Sequence, residues 1–311
     1  MVGYTDATIL DEILHNKDLS LNSKTQYTTK IQQFVKLVGA KNVVSLLLAP
    51  DKAMNRLRKA DISHTPSNHH VYLAAACSIM KHVKGLRDSL PTKAVKRWSE
   101  LRQSNTHPIT ERYHDNQPTE RQRQAIIPLA DVISARDALP VGNMVKLLLM
   151  MYTGIPPARG GDYHSVKIYR NRTRPPAKDD GNYLLLPDSN ACKLVLQQFK
   201  TAKQYHSITH ELPQEVCSEI RASLRVQPRT HLFASPETGL PYTRSAFSAW
   251  AVRALKKLFG KPVTLTMLRH LYISSLDFNR MTLRQMEHIG NQMGHSVAMQ
   301  TLYRWPSTTT K

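Results

Sequence analysis

The chain has 311 residues, enough for two domains of ordinary size, and 41% of them are hydrophobic. Its 43 Lys and Arg residues exceed its 23 Asp and Glu residues and give a formal net charge of +20. Such an excess predicts a polyanionic partner, nucleic acid ahead of an anionic membrane surface. The longest apolar stretch, around residues 147–151, is too short to span a bilayer, and the opening residues lack a signal-peptide pattern. We therefore expect an intracellular protein that is neither membrane-bound nor secreted.

Cysteine and histidine usage argues against a metal or disulfide framework. Cys77, Cys192 and Cys217 are scattered without CxxC spacing, which fits a reducing compartment. His206 and His210 are four positions apart, but the glutamate of an HExxH motif is missing between them. We expect no metal and no cofactor.

Helical patterns fill residues 1–98. Apolar residues recur at helical spacing from Tyr27 to Val38, with Ser23 as the expected N-cap and Gly39 as the expected end. The next pattern predicts a short helix, a break at Pro50 and another helix, and the alanine-rich run after it predicts the most buried helix. The first domain is predicted to be mainly α.

The hydrophobic pattern of the sequence changes at residue 99 and again at residue 125. Residues 99–124 are polar and include Pro108 and Pro118, which predicts a linker or an extended arm. Residues 125–311 combine helical patterns with short runs, around residues 163–200, that read as strands. The second domain is therefore predicted to be α+β, with a small sheet or hairpin.

Four segments of the second domain carry residues suited to phosphate chemistry. The first has an arginine after a Thr-Gly and a Pro-Pro step, and the second has a lysine in an expected β-hairpin. The third has an arginine on an apolar helix, and the fourth has a Gly-His pair before a tyrosine. In chain order the residues are Arg159 with Asp162, Lys200, Arg269 with His270, and His295 with Tyr303.

This order of motifs resembles the tyrosine recombinases, also called phage-type integrases. The resemblance implies a helical core-binding domain that binds DNA, followed by a catalytic domain. It also implies a catalytic set of Arg159, Lys200, Arg269, His295 and Tyr303, with support from Thr266, His270 and Asp162. The Pro-Pro-x-Arg-x-x-Asp-Tyr form is similar to versions in eukaryotic viruses and mobile elements.

The chemistry of phosphodiester cleavage explains these residue types. Attack by an oxygen nucleophile adds negative charge to the phosphate, which two guanidinium groups can clamp in a fixed geometry. A lysine can protonate the leaving 5′ oxygen, and a histidine can hydrogen-bond the phosphate. A tyrosine forms a covalent 3′-phosphotyrosine that keeps the energy of the ester, so neither metal nor ATP is needed.

The sequence departs from the family pattern at two points. Thr266 stands where the family has the histidine of His-x-x-Arg, and threonine cannot carry a proton near neutral pH. His270 is no obvious substitute, because it is adjacent to Arg269 and adjacent residues of a helix do not share a face. His295 and Tyr303 are eight positions apart, one fewer than in the family.

Each motif also has a purely structural interpretation. Arg159 alone fits a surface arginine, Lys203 competes with Lys200, and Arg269 could pair with a structural carboxylate. Gly294 fits a helix C-cap, and Tyr303 could be a packing anchor beside Leu302 and Trp305. The coincidence of four motifs in one order favours the functional interpretation.

The sequence therefore predicts a site-specific recombinase or integrase that works on double-stranded DNA in the nucleoid or the nucleus of an infected cell. Strand exchange requires two duplexes, so a homotetramer on DNA is expected. A type IB topoisomerase-like enzyme is one alternative, since it shares the arginine, lysine and tyrosine chemistry. A DNA-binding protein on a recombinase scaffold without catalysis is the other.

Overall fold

The computed structural model describes residues 3–60, 66–175, 181–188 and 191–305. The contacts divide the chain into two units, Met1–Arg112 and Tyr113–Lys311. The first contains only helices among its described residues, and the second combines helices with one sheet. This confirms the predicted fold class, a mainly α unit followed by an α+β unit.

The first unit is built on helices with a shared apolar core. They are α1 (Asp6–His15), α2 (Leu21–Leu37), α3 (Val43–Leu47), α4 (Pro50–Lys59), α5 (Pro66–His82), α6 (Leu86–Ser89) and α7 (Thr92–His114). Ile31, Phe34 and Leu73 are fully buried, and the indole of Trp98 packs on Phe34 and donates to the carbonyl of Leu47 at 2.8 Å. The break at Pro50 is as predicted, because Pro50 is the first residue of α4.

The ends of α2 show how local chemistry sets a boundary. The helix starts earlier than predicted, because the N-cap is Ser20, whose hydroxyl accepts from the Ser23 amide at 3.2 Å. It ends as predicted before Gly39, which has a φ of +59°.

The segment predicted as a linker or extended arm is largely helical. Helix α7 continues to His114, and α8 (Glu120–Ala125) follows. Contacts to α5 hold the polar part of α7, since the Asn105 amide donates to the Pro66 carbonyl at 2.8 Å and Thr106 lies 3.1 Å from His70 Nδ1. Tertiary contacts thus outweigh the helix-breaking signal of Pro108, which lies inside the helix.

The second unit surrounds a four-stranded sheet with helices. After α8 come α9 (Leu129–Ala138), α10 (Met144–Thr153), α11 (Gly160–Tyr163), β1 (Lys167–Arg170), β2 (Tyr183–Leu186), β3 (Cys192–Leu196), α12 (Ala202–Tyr205), β4 (Ile208–Leu212), α13 (Gln214–Val226), α14 (Arg244–Phe259), α15 (Leu265–Ser274), α16 (Leu283–Met293) and α17 (Val297–Tyr303). None of the described helices has the length and apolar character needed to cross a bilayer.

The sheet has the order β1-β2-β3-β4 and presents a hairpin towards α16. Strands β1 and β2 are parallel, whereas β2–β3 and β3–β4 are antiparallel. In the β3–β4 pair Leu196 lies opposite Ile208 and Cys192 opposite Leu212. The predicted hairpin is therefore present, and its connection, which includes α12, carries Lys200.

Candidate active site

The loop after α10 places the backbone of Arg159. Arg159 is the N-cap of α11, and its amide donates to Asp162 Oδ2 at 3.1 Å. The buried Tyr163 hydroxyl accepts from the Ala158 amide at 3.0 Å and donates to the Met151 carbonyl at 3.2 Å. The Asp-Tyr pair that follows Arg159 therefore ties this loop to α10.

The guanidinium of Arg159 faces the hairpin connection and the end of α16. Its Nη1 lies 3.5 Å from Thr201 Oγ1 and its Nη2 lies 3.5 Å from the Gly294 carbonyl. The Thr201 hydroxyl donates to that same carbonyl at 2.7 Å. These contacts bring three segments together that are far apart in the chain.

Gly294 is the point of closest approach between α16 and the hairpin. Its φ is +65°, and a β-carbon there would lie 3.1 Å from Phe199 and 3.2 Å from Thr201 Oγ1. Both the left-handed backbone and the narrow gap favour glycine. The glycine of the Gly-His motif thus allows the hairpin connection to approach Arg159.

Lys200 lies on this connection, immediately before Thr201, and its side chain is exposed. Lys203, its competitor by sequence, is also exposed and lies in α12. Lys200 is the one adjacent to the residue that contacts Arg159 and Gly294. This neighbourhood favours Lys200 over Lys203.

Arg269 is almost completely buried, with 2% of its surface exposed. Its Nη1 donates to the Pro157 carbonyl at 2.9 Å and its Nη2 to the Met293 carbonyl at 3.4 Å, whereas Nε has no partner among the described residues. None of the ion pairs between described residues includes Arg269 or Arg159. A buried cation without an ion-pair partner is costly, so this site is suited to an external anion.

His295 is a second buried polar residue of this site. Only 4% of its surface is exposed, and neither ring nitrogen has a hydrogen-bond partner within the described part of the chain. Burial, together with the charges of Arg269 and Arg159, lowers the pKa of His295 to about 3. The imidazole is therefore neutral at physiological pH and can donate one hydrogen bond to a ligand.

Tyr303 is the last residue of α17 and lies half-buried among these groups. The Arg269 guanidinium carbon is 5.8 Å from the centre of its ring, and the His295 ring centre is 5.6 Å away. The phenol is thus next to both the buried cation and the unpartnered imidazole.

His270 holds the end of α17 from the other side. Its Nδ1 lies 2.7 Å from the Tyr303 carbonyl oxygen, and its ring stacks on Tyr303 at 4.4 Å and on Trp305 at 4.3 Å. Burial lowers the pKa of His270 to about 4, so Nδ1–H of the neutral ring is the donor. Arg269 and His270, which are adjacent on α15, both lie next to Tyr303.

Asp162 and Thr266, the other two predicted supporting residues, have different environments. Asp162 is buried, and desolvation raises the pKa of its carboxyl group while Arg159 and Arg269 oppose that rise. Thr266 is exposed in the first turn of α15, one turn before Arg269. Of the eight predicted residues, Lys200 and Thr266 are the two with solvent-exposed side chains.

Three residues that the motifs do not assign to the site also take part in it. Thr201 connects Arg159 with Gly294, and Gln300 is fully buried, donating to the Met286 carbonyl at 3.0 Å beneath α17. Trp305 packs on His270 and donates its amide to Ser274 Oγ at 2.9 Å. Trp305 had a sequence signal, as a packing neighbour of Tyr303, whereas the motifs did not single out Thr201 or Gln300.

The chain can be compared with solved structures over nearly its whole length. The XerA recombinase is 16% identical with a TM-score of 0.41, covering 98% of this chain and 95% of that one. The Tn1549 transposon integrase in complex with transposon right end DNA is 14% identical with a TM-score of 0.46, covering 98% and 96%. The XerH site-specific recombinase bound to its difH substrate is 13% identical with a TM-score of 0.42, covering 97% and 91%.

These similar structures are recombinases and an integrase. No protein-family model and no curated protein sequence matches the chain. The assignment of a reaction to this chain therefore depends on the side chains of its own site.

Three buried histidines make the stability of the protein depend on pH. Desolvation lowers the pKa of His210 and of His270 to about 4 and, with the nearby arginines, that of His295 to about 3. An unfolded chain protonates its histidines near pH 6.5. Between that pH and about 4 the unfolded state binds more protons, so we expect the free energy of unfolding to fall as the pH falls.

Thermal unfolding between pH 7.5 and pH 4.5 measures this effect. Each histidine contributes up to about 1.4 kcal/mol per pH unit below 6.5, and His210→Leu should reduce the slope because one titrating group is removed. Equal slopes for the wild type and His210→Leu would contradict the prediction for His210.

Proposed function

We propose that this protein is a site-specific DNA recombinase that cuts and rejoins double-stranded DNA through a 3′-phosphotyrosine formed by Tyr303. The observation that carries the proposal is the position of Arg269 and His295 next to the Tyr303 ring, with Arg159 in contact with the Gly294 carbonyl beside His295. Neither arginine forms an ion pair among the described residues, and the His295 ring nitrogens have no hydrogen-bond partner there. A phosphodiester supplies the negative charge that this site lacks.

In the proposed reaction the phosphate binds between the two arginines. The Tyr303 oxygen attacks phosphorus, the bond from phosphorus to the 5′ oxygen breaks, and the phenolic proton is released to solvent. Lys200 donates a proton to the 5′ oxygen, and neutral His295 donates a hydrogen bond to a phosphate oxygen. Attack by a 5′ hydroxyl of the partner strand reverses these steps and frees Tyr303.

The remaining parts of the proposal follow from this chemistry. Exchange of strands between two duplexes requires four cuts, hence four copies of Tyr303, so we infer a tetramer on DNA. The net charge of +20 supports binding through phosphates, with affinity that falls by orders of magnitude between low and moderate salt. The helical unit would bind DNA, and the protein would act inside a cell, as part of a mobile element or virus.

A pool of nicked suicide duplexes with randomised arms tests the proposal without knowledge of the target. When such a substrate is cleaved, the short fragment that carries the 5′ hydroxyl dissociates. The strand then cannot be rejoined, so the covalent adduct accumulates. We expect an adduct on a denaturing gel, with the protein joined to a 3′ phosphate and the nucleotide on the peptide that contains Tyr303. Binding of the pool without any adduct would instead support a DNA-binding protein without catalysis.

A topoisomerase-like enzyme remains the second candidate because of Thr266, an exposed side chain in place of a proton-carrying histidine. Incubation with a supercoiled plasmid that lacks the sequences selected from the pool distinguishes the recombinase from the topoisomerase-like enzyme. A recombinase should leave this plasmid supercoiled, whereas efficient relaxation would favour the topoisomerase.

Thr266 itself is expected to act through a hydrogen bond. Its place one turn before Arg269 suits a contact with the bound phosphate. Thr266→Val should lower the cleavage rate by roughly tenfold or less, the equivalent of one neutral hydrogen bond, and Thr266→His should preserve or raise it. Complete loss of cleavage in Thr266→Val, with fold and DNA binding intact, would contradict this role.

A further inference from the structure

Arg244 is an arginine outside the recognised motifs whose guanidinium lies over the loop of Arg159. It is the first residue of α14, and its side chain is exposed. A β-carbon built on Gly161 would lie 2.5 Å from Arg244 Nε, 2.7 Å from Cζ and 2.8 Å from Nη2. The guanidinium therefore occupies the space that a side chain at position 161 would take.

The charge of Arg244 belongs to the same electrostatic cluster as the two arginines of the proposed site. Burial raises the pKa of the Asp162 carboxyl group, and Arg159, Arg269 and Arg244 all act in the opposite direction. Three cations thus act on one buried carboxylate, and Arg244 forms no ion pair with any described residue. The cluster retains excess positive charge next to Tyr303.

The position of Arg244 on its helix is unfavourable for a cation. The N-terminus of a helix carries partial positive charge, which disfavours Lys and Arg in the first turn. The first turn of α14 contains no acidic residue that could compensate. An external anion would relieve this repulsion and would also be attracted by the helix end.

We infer that Arg244 is a third phosphate-binding arginine of this site, placed by Gly161, and that it binds a phosphodiester of the DNA at or next to the cleaved one. The inference deepens the proposed function and rests on it. The planar guanidinium of Arg244 is exposed and can bind two phosphate oxygens from the solvent side, whereas Arg269 is buried. Gly161 and Arg244 act as a pair, because the missing side chain of Gly161 leaves the space in which the Arg244 guanidinium lies.

The test uses Arg244→Gln, Gly161→Ala, the double variant, and Arg253→Gln as a matched control on the exposed face of the same helix. The probe is a nicked duplex selected from the randomised pool. Arg244→Gln should bind this duplex about tenfold more weakly, the equivalent of one charge-assisted hydrogen bond. The slope of log affinity against log salt concentration should also decrease by about the amount of one phosphate contact. Arg253→Gln should behave like the wild type.

Gly161→Ala tests the pairing without removing a charge. The backbone of Gly161 is not left-handed, and the three atoms nearest to the new methyl group all belong to the flexible end of Arg244. The melting temperature should therefore stay close to that of the wild type. The displaced guanidinium should weaken binding as in Arg244→Gln, and the double variant should be no weaker than Arg244→Gln alone. Additive losses in the double variant would overturn the pairing.

The inference and the proposed function can fail separately. If the wild type forms the covalent adduct but Arg244→Gln matches Arg253→Gln in affinity and salt dependence, the inference is wrong and the proposed function stands. If no adduct forms but Arg244→Gln weakens binding as described, Arg244 binds DNA phosphate and the proposed catalysis is wrong.

Discussion

Tyr303→Phe is expected to eliminate the covalent protein–DNA adduct while folding and DNA affinity stay nearly unchanged. The substitution removes one oxygen, the atom that would attack phosphorus. The side chain is half-buried beside the Arg269 guanidinium, which can stabilise the phenolate as it forms. Without that oxygen the site has the cations for binding a phosphate but no nucleophile.

The packing around Tyr303 explains why the fold should survive. The contacts that anchor the residue use its ring, which stacks on His270, and its backbone carbonyl, which accepts from His270 Nδ1. Phenylalanine keeps both. A denaturing gel with end-labelled suicide DNA measures the adduct, and thermal unfolding measures the fold.

Tyr272→Phe is the matched control. Tyr272 lies on α15 and is partly buried, and desolvation raises the pKa of its phenol, which makes it a poorer nucleophile. This variant should form the adduct at the wild-type level. An adduct that persists in Tyr303→Phe and disappears in Tyr272→Phe would show that Tyr272 attacks instead.

Arg269→Lys is expected to lower the cleavage rate by roughly 10²–10³-fold, the effect of losing one preorganised donor to a developing oxyanion. The buried guanidinium donates to the Pro157 and Met293 carbonyls and still has its unpartnered Nε. A lysine keeps the charge but cannot hold both carbonyls and a phosphate in one fixed plane. Single-turnover cleavage of the suicide substrate is the measurement.

Arg229→Lys is the control that distinguishes an effect of Arg269→Lys on the cleavage step from an effect on folding stability. Arg229 is a second buried arginine of the same unit, and its guanidinium donates to the carbonyls of Ser223, Gln227 and Leu232 and to the Ser223 hydroxyl. Its loss should lower the free energy of unfolding by about 3 kcal/mol and leave the cleavage rate of the folded protein unchanged. If both variants reduced cleavage only in proportion to unfolding, Arg269 would be structural.

The helices were more predictable than the boundaries between them. Apolar spacing identified α2, and the hairpin pattern around Lys200 corresponds to β3 and β4, because burial of one face imposes a period. The polar region after residue 98 was predicted as a linker or arm, since its composition contains little apolar surface. It forms part of α7 because Asn105 and Thr106 contact residues of α5, and composition does not reveal such contacts.

In the candidate site, too, the residue types were predicted from the sequence, whereas some of the contacts between them were not. The motifs assigned Arg159, Lys200, Arg269, His295 and Tyr303 to one phosphate. In the structure Arg269 and His295 lie next to the Tyr303 ring, Arg159 contacts the Gly294 carbonyl beside His295, and the Lys200 side chain is exposed. Nothing in the sequence indicated that His270 and Arg269, which are adjacent on α15, would both lie next to Tyr303, because that depends on how α15 packs against α17.

The charge, the helical and strand periods, and the order of the candidate phosphate-binding residues could be read from the amino-acid sequence. These depend on residue type and on spacing along the chain. Three-dimensional packing was needed to show that Arg269 has no ion-pair partner among the described residues, that Thr201 contacts Gly294, and that Arg244 lies over Gly161. Periodicity defines which face of a helix is buried, but the distance between two faces depends on how every side chain between them packs.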